Sequence, residues 1–396
     1  MVIRPGMFHV KQGKARQMRK TVLGVLLGCI FAPVASAQLA VSANDGKVRL
    51  DNGVVKTVPN NPDTVAIIDL GARPPKLLHE IEVPTSIVGP PSSVAVAPDG
   101  SIALVTANMK LDPADPTKQT PDNRMSIIDL KANPPALIGT VETGRGPAGV
   151  AIGPKGNIAL VANREEGTVS VYAIDGKTLT SLGKVDFGNP KAGPSGVSIT
   201  PDGTTALVTR DGDSRVSVLA IDRDRVEYTK RDMFPGQRPY GIEISRKGDV
   251  AAVANIGAGQ GDSDTISLID MTAKPVRVIE TVSVGQTPEG IAISPDGKWV
   301  AVTVMNGSNK ALASPFYNPL GLLKLYKVAG RKLVYNSQVE TGVWTQGIVF
   351  SADSKILLVQ NKEQKELQVL AIRGNKLTDT KQRIAMRNGG AGIGAR

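Results

Sequence analysis

Histidine and cysteine are almost absent from this chain of 396 residues, and their scarcity excludes several classes of chemistry. The sequence contains two histidines and one cysteine, and only His79 remains if residues 1–37 are removed as an export signal. A zinc or copper site of ordinary ligands needs more of these side chains. A Ser-His-Asp triad would depend on His79, which falls in a predicted outer strand. We therefore expect no metal, no cofactor and no disulfide in the mature chain.

Oxygen-ligated calcium is the one metal site that the composition leaves open. Asp211-Gly212-Asp213 and Asp262-Ser263-Asp264 could supply oxygen ligands, but neither segment has the full spacing of a calcium loop. Both are equally typical of turns, which need no metal.

Aromatic residues make up only 4% of the chain, which argues against a binding surface for single-stranded nucleic acid. Such surfaces use aromatic side chains on which successive bases stack. Tyr240 and Trp344 are the two candidates, and packing between structural units would account for them equally well. Nucleic acid is therefore a weakly supported partner.

The N-terminal segment is typical of a cleaved secretory signal. Met18-Arg19-Lys20 precedes the apolar stretch Val22–Phe31, and Ala35-Ser36-Ala37 offers a cleavage site of small residues. The stretch is too short to span a membrane. We predict a signal peptide over residues 1–37, no transmembrane segment after processing, and a periplasmic or secreted protein.

A lipid anchor at Cys29 is the alternative, although Ile30-Phe31-Ala32 after the cysteine is unusually apolar for a lipoprotein signal. Cleavage after Ala37 removes six basic residues and no acidic ones, so the formal charge falls from +11 to +5. The apparent basicity therefore belongs largely to the signal. An argument for an anionic partner has to rest on where the remaining charges lie.

The chain repeats one phrase. Pro194–Gly203 reads PSGVSITPDG and Pro288–Gly297 reads PEGIAISPDG. The shared glycine falls at 149, 196, 241, 290 and 347, with spacings of 47, 45, 49 and 57 residues. A period in this range, built from short alternating apolar runs, predicts a propeller of four-stranded antiparallel blades.

Seven apolar runs correspond to the third strand of a blade, so seven blades are expected. Leu39–Asn44 resembles a second strand without a first, and Gly390–Gly394 resembles a first strand without a second. We predict that these two segments pair and close an all-β, seven-bladed propeller over residues 38–396, because closure removes the exposed edges of an open ring. Between second and third strands, 109–124, 256–264 and 306–321 are predicted to be irregular.

The repeat resembles the YVTN-type β-propeller family. Leu160-Val161-Ala162-Asn163 followed by Thr168–Val171 matches its pattern, and so does Val253-Ala254-Asn255 followed by Ile266–Asp270. The resemblance covers about residues 39–396. It implies an exported propeller, often a binding protein, in a family that borders on propeller lactonases and on subunits of cofactor-bearing dehydrogenases.

Propeller geometry selects candidate site residues without an alignment. In up-and-down blades, the loops leading into first strands and the loops after second strands open on one face around the channel. That face is the channel mouth, and arginine there would suit carboxylate or phosphate. The residues selected for the ligand-binding mouth are Arg145, Arg164, Lys191, Arg210, Arg238, Tyr240, Glu289, Trp344 and Gln346.

These residues predict a basic mouth that binds an anionic small molecule or a protein partner. We expect Arg164 and Arg210 to lie in exposed loops, although Glu165 and Asp211 nearby would also suit an ordinary charged rim. Glu289 could act as a base inside the channel, or could pair with an arginine across it. The sequence favours a monomeric binding module without catalysis of its own. A lactonase-like hydrolase and an accessory subunit of a periplasmic redox enzyme are the alternatives.

Overall fold

The computed structural model describes residues 38–396, together with 1–2, 6–7, 9 and 11–12. Most of the predicted signal peptide at 1–37, including its apolar stretch, lies outside the described residues. The unit Ala37–Arg396 holds all of the secondary structure that is described. No helix of the length and apolarity needed to cross a membrane occurs among the described residues.

The architecture is a propeller of seven four-stranded antiparallel blades, as the repeat predicts. Counted from the channel outwards, the strands of blades 1 to 4 are β30 (Gly389–Ala395), β1 (Leu39–Asp45), β4 (Thr64–Asp69) and β5 (Lys76–Glu82); β6 (Val94–Val96), β7 (Ile102–Leu111), β8 (Gln119–Asp129) and β9 (Ala136–Glu142); β10 (Pro147–Ile152), β11 (Ile158–Asn163), β12 (Thr168–Asp175) and β13 (Thr178–Asp186); and β14 (Pro194–Ile199), β15 (Thr205–Arg210), β16 (Arg215–Asp222) and β17 (Arg225–Met233).

Blades 5 to 7 follow the same order. Their strands are β18 (Pro239–Ile244), β19 (Val250–Asn255), β20 (Asp264–Asp270) and β21 (Arg277–Gly285); β22 (Pro288–Ile293), β23 (Trp299–Val304), β24 (Leu322–Ala329) and β25 (Lys332–Glu340); and β26 (Thr345–Phe350), β27 (Ile356–Asn361), β28 (Glu366–Arg373) and β29 (Lys376–Ala385).

Two departures from the expected strand pattern occur. A separate hairpin, β2 (Val48–Asp51) and β3 (Val54–Thr57), is inserted in blade 1 between β1 and β4. The stretch 109–124, which was expected to be irregular, instead extends β7 and β8 into a long hairpin with Leu111 opposite Gln119. In both places the chain forms extra backbone hydrogen bonds where the repeat pattern had ended.

The core is divided among the interfaces between blades. Seven clusters of buried apolar side chains lie between neighbouring blades, and each draws on the second and third strands of both. One example joins Leu268 of blade 5 to Val300 and Val302 of blade 6, all of them without solvent exposure. Successive side chains of each apolar run thus point to opposite faces of the blade, and both faces are buried against neighbouring blades.

The repeated glycine lies where neighbouring blades come closest, at the channel. A Cβ atom on Gly241 would lie 2.4 Å from the carbonyl oxygen of Glu289 in blade 6, and one on Gly290 would lie 2.5 Å from that of Gln346 in blade 7. Gly149 and Gly196 meet the next blade in the same way, at 2.6 and 2.5 Å. The glycine therefore recurs because the adjacent backbone leaves no room for a side chain.

A hydroxyl on the second strand ties two of these contacts together. Thr209 Oγ1 accepts a hydrogen bond from Gly196 N (2.7 Å) and donates to Tyr240 O of blade 5 (2.6 Å). Thr303 does the same between Gly290 N (2.9 Å) and Gln346 O of blade 7 (2.7 Å). These bonds fix Tyr240 and Gln346, each of which precedes a repeated glycine, at the channel wall, where the candidate site lies.

Ring closure takes place inside blade 1. Strand β30 pairs antiparallel with β1, with Ala40 opposite Ala395 and Asp45 opposite Gly389. This confirms the predicted pairing of the two chain ends. At the mouth side, Lys362 of blade 7 donates to Asp45 of blade 1 at 2.8 Å, and both side chains are buried. Burial by itself would raise the pKa of Asp45, but the charges of Lys362 and Lys47 hold it below its usual value.

The glycine constraint predicts a large difference between two Gly→Ala substitutions. Gly241→Ala should lower the free energy of unfolding by about 1–3 kcal/mol, because the new methyl group would force blades 5 and 6 apart. Gly139→Ala is the matched control, since a Cβ there has nothing within 4 Å. Urea denaturation of both variants measures the effect, and equal stabilities would show that the close approach does not determine the glycine.

Closure predicts the effect of truncation after Asn388. Loss of β30 would leave β1 with an unpaired inner edge and would uncover the cluster between blades 7 and 1, which includes Ile393. We expect a severe loss of stability, measured as the thermal unfolding midpoint. An unchanged midpoint in the truncated protein would contradict the closure.

Candidate functional site

The loops selected from the sequence do open on one face of the propeller. Backbone hydrogen bonds join the loop before a first strand to the loop after the second strand of the same blade. They run from Arg164 N to Gly146 O (2.8 Å), from Asp211 N to Gly193 O (2.9 Å) and from Ile256 N to Arg238 O (3.0 Å). The channel mouth is therefore framed by paired loops held by main-chain contacts.

A cavity of about 690 Å³ occupies the mouth above blades 3, 4 and 5. Three of the predicted residues line it, namely Arg164, Lys191 and Arg238. Asp211 and Glu165 line it as well, so the wall carries both signs of charge.

Asp211 is the centre of the charged network at the mouth. Its side chain is 4% exposed. Arg164 donates to both of its carboxylate oxygens, from Nε at 3.1 Å and from Nη2 at 2.5 Å. Arg238 Nη2 donates to Oδ2 at 3.2 Å, and Ser195 Oγ donates to Oδ1 at 3.0 Å. One carboxylate thus holds the guanidinium groups of two blades in place.

Arg210 does not lie in an exposed loop, which corrects the expectation from the sequence. It is the last residue of β15 and is 5% exposed. Its guanidinium group stacks on the Phe187 ring, 4.8 Å from the centroid, and donates to Asp213 and to Ser217 Oγ (3.0 Å). Because these partners lie away from the cavity, Arg210 supports the fold of blade 4 rather than the mouth.

The register of the repeat explains why Arg210 lies inside blade 4. Arg210 lies opposite Pro194, as Asn163 lies opposite Pro147 in blade 3. Arg210 therefore occupies the structural position of Asn163, and Asp211 occupies that of Arg164. A shift of one residue along a strand turns a side chain to the other face.

Trp344 and Arg145 also lie apart from the cavity. Trp344 is 4% exposed and packs its ring 5.6 Å from Lys362 Nζ, so it has no free face for stacking. Arg145 is exposed on the rim, where its backbone N–H donates to the carboxylate of Glu166 at 2.9 Å.

Below the cavity, three predicted residues form a layer across the channel. Each of the three, Tyr240, Glu289 and Gln346, precedes a repeated glycine. The next residues along the chain, Gly241 and Gly290, line a second cavity further down the channel. We call these three residues the channel layer. The guanidinium group of Arg164 lies over the Tyr240 ring, 5.6 Å from its centroid, which connects the layer to the charged network above.

The titration of Glu289 is the main electrostatic feature of the channel layer. Burial raises its pKa to about 7, although the Gln346 amide and the charges of Arg164 and Arg238 oppose the rise. Burial also raises the pKa of Tyr240, so its hydroxyl remains a donor at neutral pH. Near neutrality Glu289 is therefore able both to accept and to return a proton.

The polar atoms of the layer have unused hydrogen-bonding capacity. Gln346 is fully buried, yet neither its Nε2 nor its Oε1 makes a hydrogen bond of normal geometry. Buried amides are normally satisfied, so an unpartnered one at a channel wall indicates a place where a bound molecule or water completes the bonding.

The second cavity, of about 340 Å³, is bounded by the inner strands of all seven blades and opens away from the mouth. It contains Glu243, a residue that sequence reasoning missed. Burial raises the pKa of Glu243 to about 7, against a hydrogen bond from Ile293 N (3.0 Å). A signal was present, because Glu243 stands in β18 where the repeat has Ala151, Ser198 and Ala292.

No cluster of three or more metal-ligating side chains occurs among the residues that the structure describes. Asp211 and Asp213, which the sequence left open as calcium ligands, have arginine partners instead.

One family model matches part of the chain. It is described as "Lactonase, 7-bladed beta-propeller" and matches residues 117–240, from the end of blade 2 to the beginning of blade 5. No protein of established annotation matches the chain.

Several solved structures share the fold at low sequence identity. A candidate 6-phosphogluconolactonase of Bacteroides fragilis is 17% identical, with a TM-score of 0.68 over 92% of this chain and 99% of that chain. The periplasmic gluconolactonase of Pseudomonas aeruginosa is 16% identical, with a TM-score of 0.65 over 91% and 99%. Hydrazine synthase of Kuenenia stuttgartiensis is 21% identical, with a TM-score of 0.57 over 74% and 79%. At these identities the likeness shows the propeller fold alone.

The raised pKa of Glu289 predicts how stability depends on pH. The folded protein binds this proton more tightly than the unfolded chain, so its contribution is present below about pH 4.5 and is lost as the pH rises through about 7. Glu289→Gln mimics the protonated form. It should raise the free energy of unfolding at pH 8, by at most about 3 kcal/mol, and should change it little at pH 4.5.

Urea denaturation at the two pH values measures this effect. Glu142→Gln, which replaces an exposed glutamate at the end of β9, is the control and should show no such pH dependence. If Glu289→Gln changed stability equally at both pH values, Glu289 would titrate as an ordinary surface carboxylate.

Proposed function

We propose that this protein hydrolyses a lactone at the channel layer. The observation that carries the proposal is Glu289, a half-buried carboxyl group at the channel wall with a pKa raised to about 7, next to polar groups that lack partners. A general base works best when its pKa lies near the working pH, because it is then ionised often enough and still basic enough to accept a proton.

The residues of the layer supply the roles that lactone hydrolysis requires. Glu289 takes a proton from a water molecule, and the water oxygen adds to the carbonyl carbon of the lactone. The ring C–O bond then breaks, and the leaving oxygen takes the proton back from Glu289. The product is an open-chain hydroxy acid, and the carboxylate of Glu289 is restored.

Tyr240 and Gln346 are the donors that we assign to the oxyanion of this reaction. Neither the Tyr240 hydroxyl nor the Gln346 amide has a hydrogen-bond partner of normal geometry in the described part of the chain. Donors held in place before the reaction stabilise developing negative charge without reorganisation. Arg164, above the Tyr240 ring, adds positive potential at the same place.

The comparisons with known proteins support this proposal. The family model that matches residues 117–240 is named for a lactonase, and two proteins with the same fold carry lactonase names. The match covers less than half of the chain, so the assignment of activity depends on the channel layer and on its test.

Binding of an anionic ligand without turnover is the second candidate, and the cavity lined by Arg164, Lys191 and Arg238 favours it. A role as accessory subunit of a redox enzyme remains a prediction from the sequence. We also propose export of the protein, on the basis of the signal peptide predicted at 1–37. Release of protons on lactone opening separates the first two candidates.

The experiment measures hydrolysis of glucono-1,5-lactone and simple γ- and δ-lactones by acid release, corrected for the spontaneous reaction. We expect kcat/KM to rise with pH along a limb with an apparent pKa near 7. Glu289→Gln should reduce kcat/KM by about 100-fold or more.

Glu243→Gln is the matched control. It removes a second half-buried carboxyl group of similar pKa from the same channel, but on the side away from the mouth, so activity should remain. If the wild type opened no lactone while carboxylates raised its melting temperature, the protein would be a binding module. Equal losses in the two variants would mean that the channel as a whole, and not Glu289, accounts for the activity.

A further inference from the structure

Both arginines at the mouth use part of their hydrogen-bonding capacity within the protein. Arg164 directs its Nε and Nη2 donors at the two oxygens of Asp211, in the paired arrangement that it would otherwise offer to a phosphate or carboxylate. Arg238 donates through Nη2 to Asp211 and through Nη1 to Gly257 O at 3.3 Å. A ligand anion would have to take the place of Asp211 or bind beside it.

Displacement of Asp211 would be costly. Its side chain is 4% exposed, and removal of its guanidinium partners would leave a buried carboxylate without compensation, which is strongly unfavourable. Binding beside Asp211 would bring a further negative charge close to it and to Glu289 below. The arrangement therefore selects against an anionic ligand at this point.

The remaining cations at the mouth do not alter this balance. Lys191 and Arg145 are exposed, and interactions of exposed charges are weakened by solvent and salt. Glu165 lines the same cavity as Lys191, and Glu166, which accepts from the Arg145 backbone, is paired with Lys184 at 2.7 Å. Arg210 is committed to Asp213 and Asp232.

The unused polar groups are neutral. The Gln346 amide offers one donor side and one acceptor side, and the Tyr240 hydroxyl offers one of each as well. Such groups match hydroxyl and carbonyl oxygens rather than a dianion.

From these contacts we infer that the substrate is an uncharged polar lactone, without a phosphate or carboxylate group, and that Asp211 determines this preference by partly neutralising Arg164 and Arg238. The inference rests on the proposed function, whose site it shares. It departs from the anionic ligand that the basic residues of the sequence suggest.

Hydrolysis also changes the charge of the bound molecule, because the product is a carboxylate. A mouth whose arginines are already partly neutralised holds that product less tightly. Asp211 therefore serves both discrimination among substrates and release of the acid.

The test compares glucono-1,5-lactone with its 6-phosphorylated form in the wild type and in Asp211→Asn. We expect kcat/KM of the wild type to be at least about tenfold higher for the neutral lactone. Asp211→Asn keeps the size of the side chain but frees the charge of both arginines. It should lower that ratio by about tenfold or more, with a salt dependence that the wild type lacks.

Asp213→Asn is the matched control, since Asp213 lies two residues away and pairs with Arg210 outside the cavity. Its substrate ratio should equal that of the wild type. A preference of the wild type for the phosphorylated lactone would overturn the inference and leave the proposed function intact, and this result does not depend on whether Asp211→Asn folds.

A binding measurement covers the case in which neither lactone is hydrolysed. Thermal shift with 6-phosphogluconate should show no stabilisation of the wild type and clear stabilisation of Asp211→Asn. That result, without any turnover, would reject the hydrolase and keep the neutralising role of Asp211. Stabilisation of the wild type by 6-phosphogluconate would reject the inference itself.

Discussion

The close approach of neighbouring inner strands is the constraint on which this propeller depends. In four blades a carbonyl oxygen lies only 2.4–2.6 Å from the place that a Cβ atom on the repeated glycine of the preceding blade would occupy. Only glycine is therefore tolerated at those positions. The same approach brings the residue before each glycine to the channel wall, where the hydroxyl groups of Thr209 and Thr303 hold Tyr240 and Gln346. The packing requirement of the ring therefore also places Tyr240, Glu289 and Gln346 in one layer. Fold and site depend on the same backbone contact.

Much of the architecture could be predicted because the same local pattern recurs in every blade. Apolar residues that recur with a period of two identified the strands. The incomplete blade at each end of the sequence indicated that the two ends pair and close the ring. The hairpin β2–β3 was missed because it lies outside the repeat, although Asn52-Gly53 between two short apolar runs is a hairpin signal. The extension of β7 and β8 was missed because Lys110–Thr120 is polar, and its pairing depends on the neighbouring strand rather than on side-chain burial.

The site was harder to predict, since the number of charged residues does not show where each side chain points or which acidic residue it pairs with. Loop order was sufficient to bring Arg164, Lys191 and Arg238 to one cavity. It could not show that Arg210 turns inwards to Asp213 or that Asp211 holds two guanidinium groups. In such a network the carboxylate decides what the arginines can still bind. The electrostatic character of the mouth is thus a property of contacts between blades and not of composition.

Closure within blade 1 has a consequence for the order in which the chain acquires its structure. Ala40 is near the beginning of the propeller and Ala395, its partner in the ladder, is almost the last residue. During synthesis β1 emerges first, and its inner edge has to wait for the entire remainder of the chain. Blade 1 can become complete only after β30 has been made, so the ring closes after the strands of the other six blades have been synthesised. Until then an apolar strand with an unpaired edge remains open to pairing with other chains.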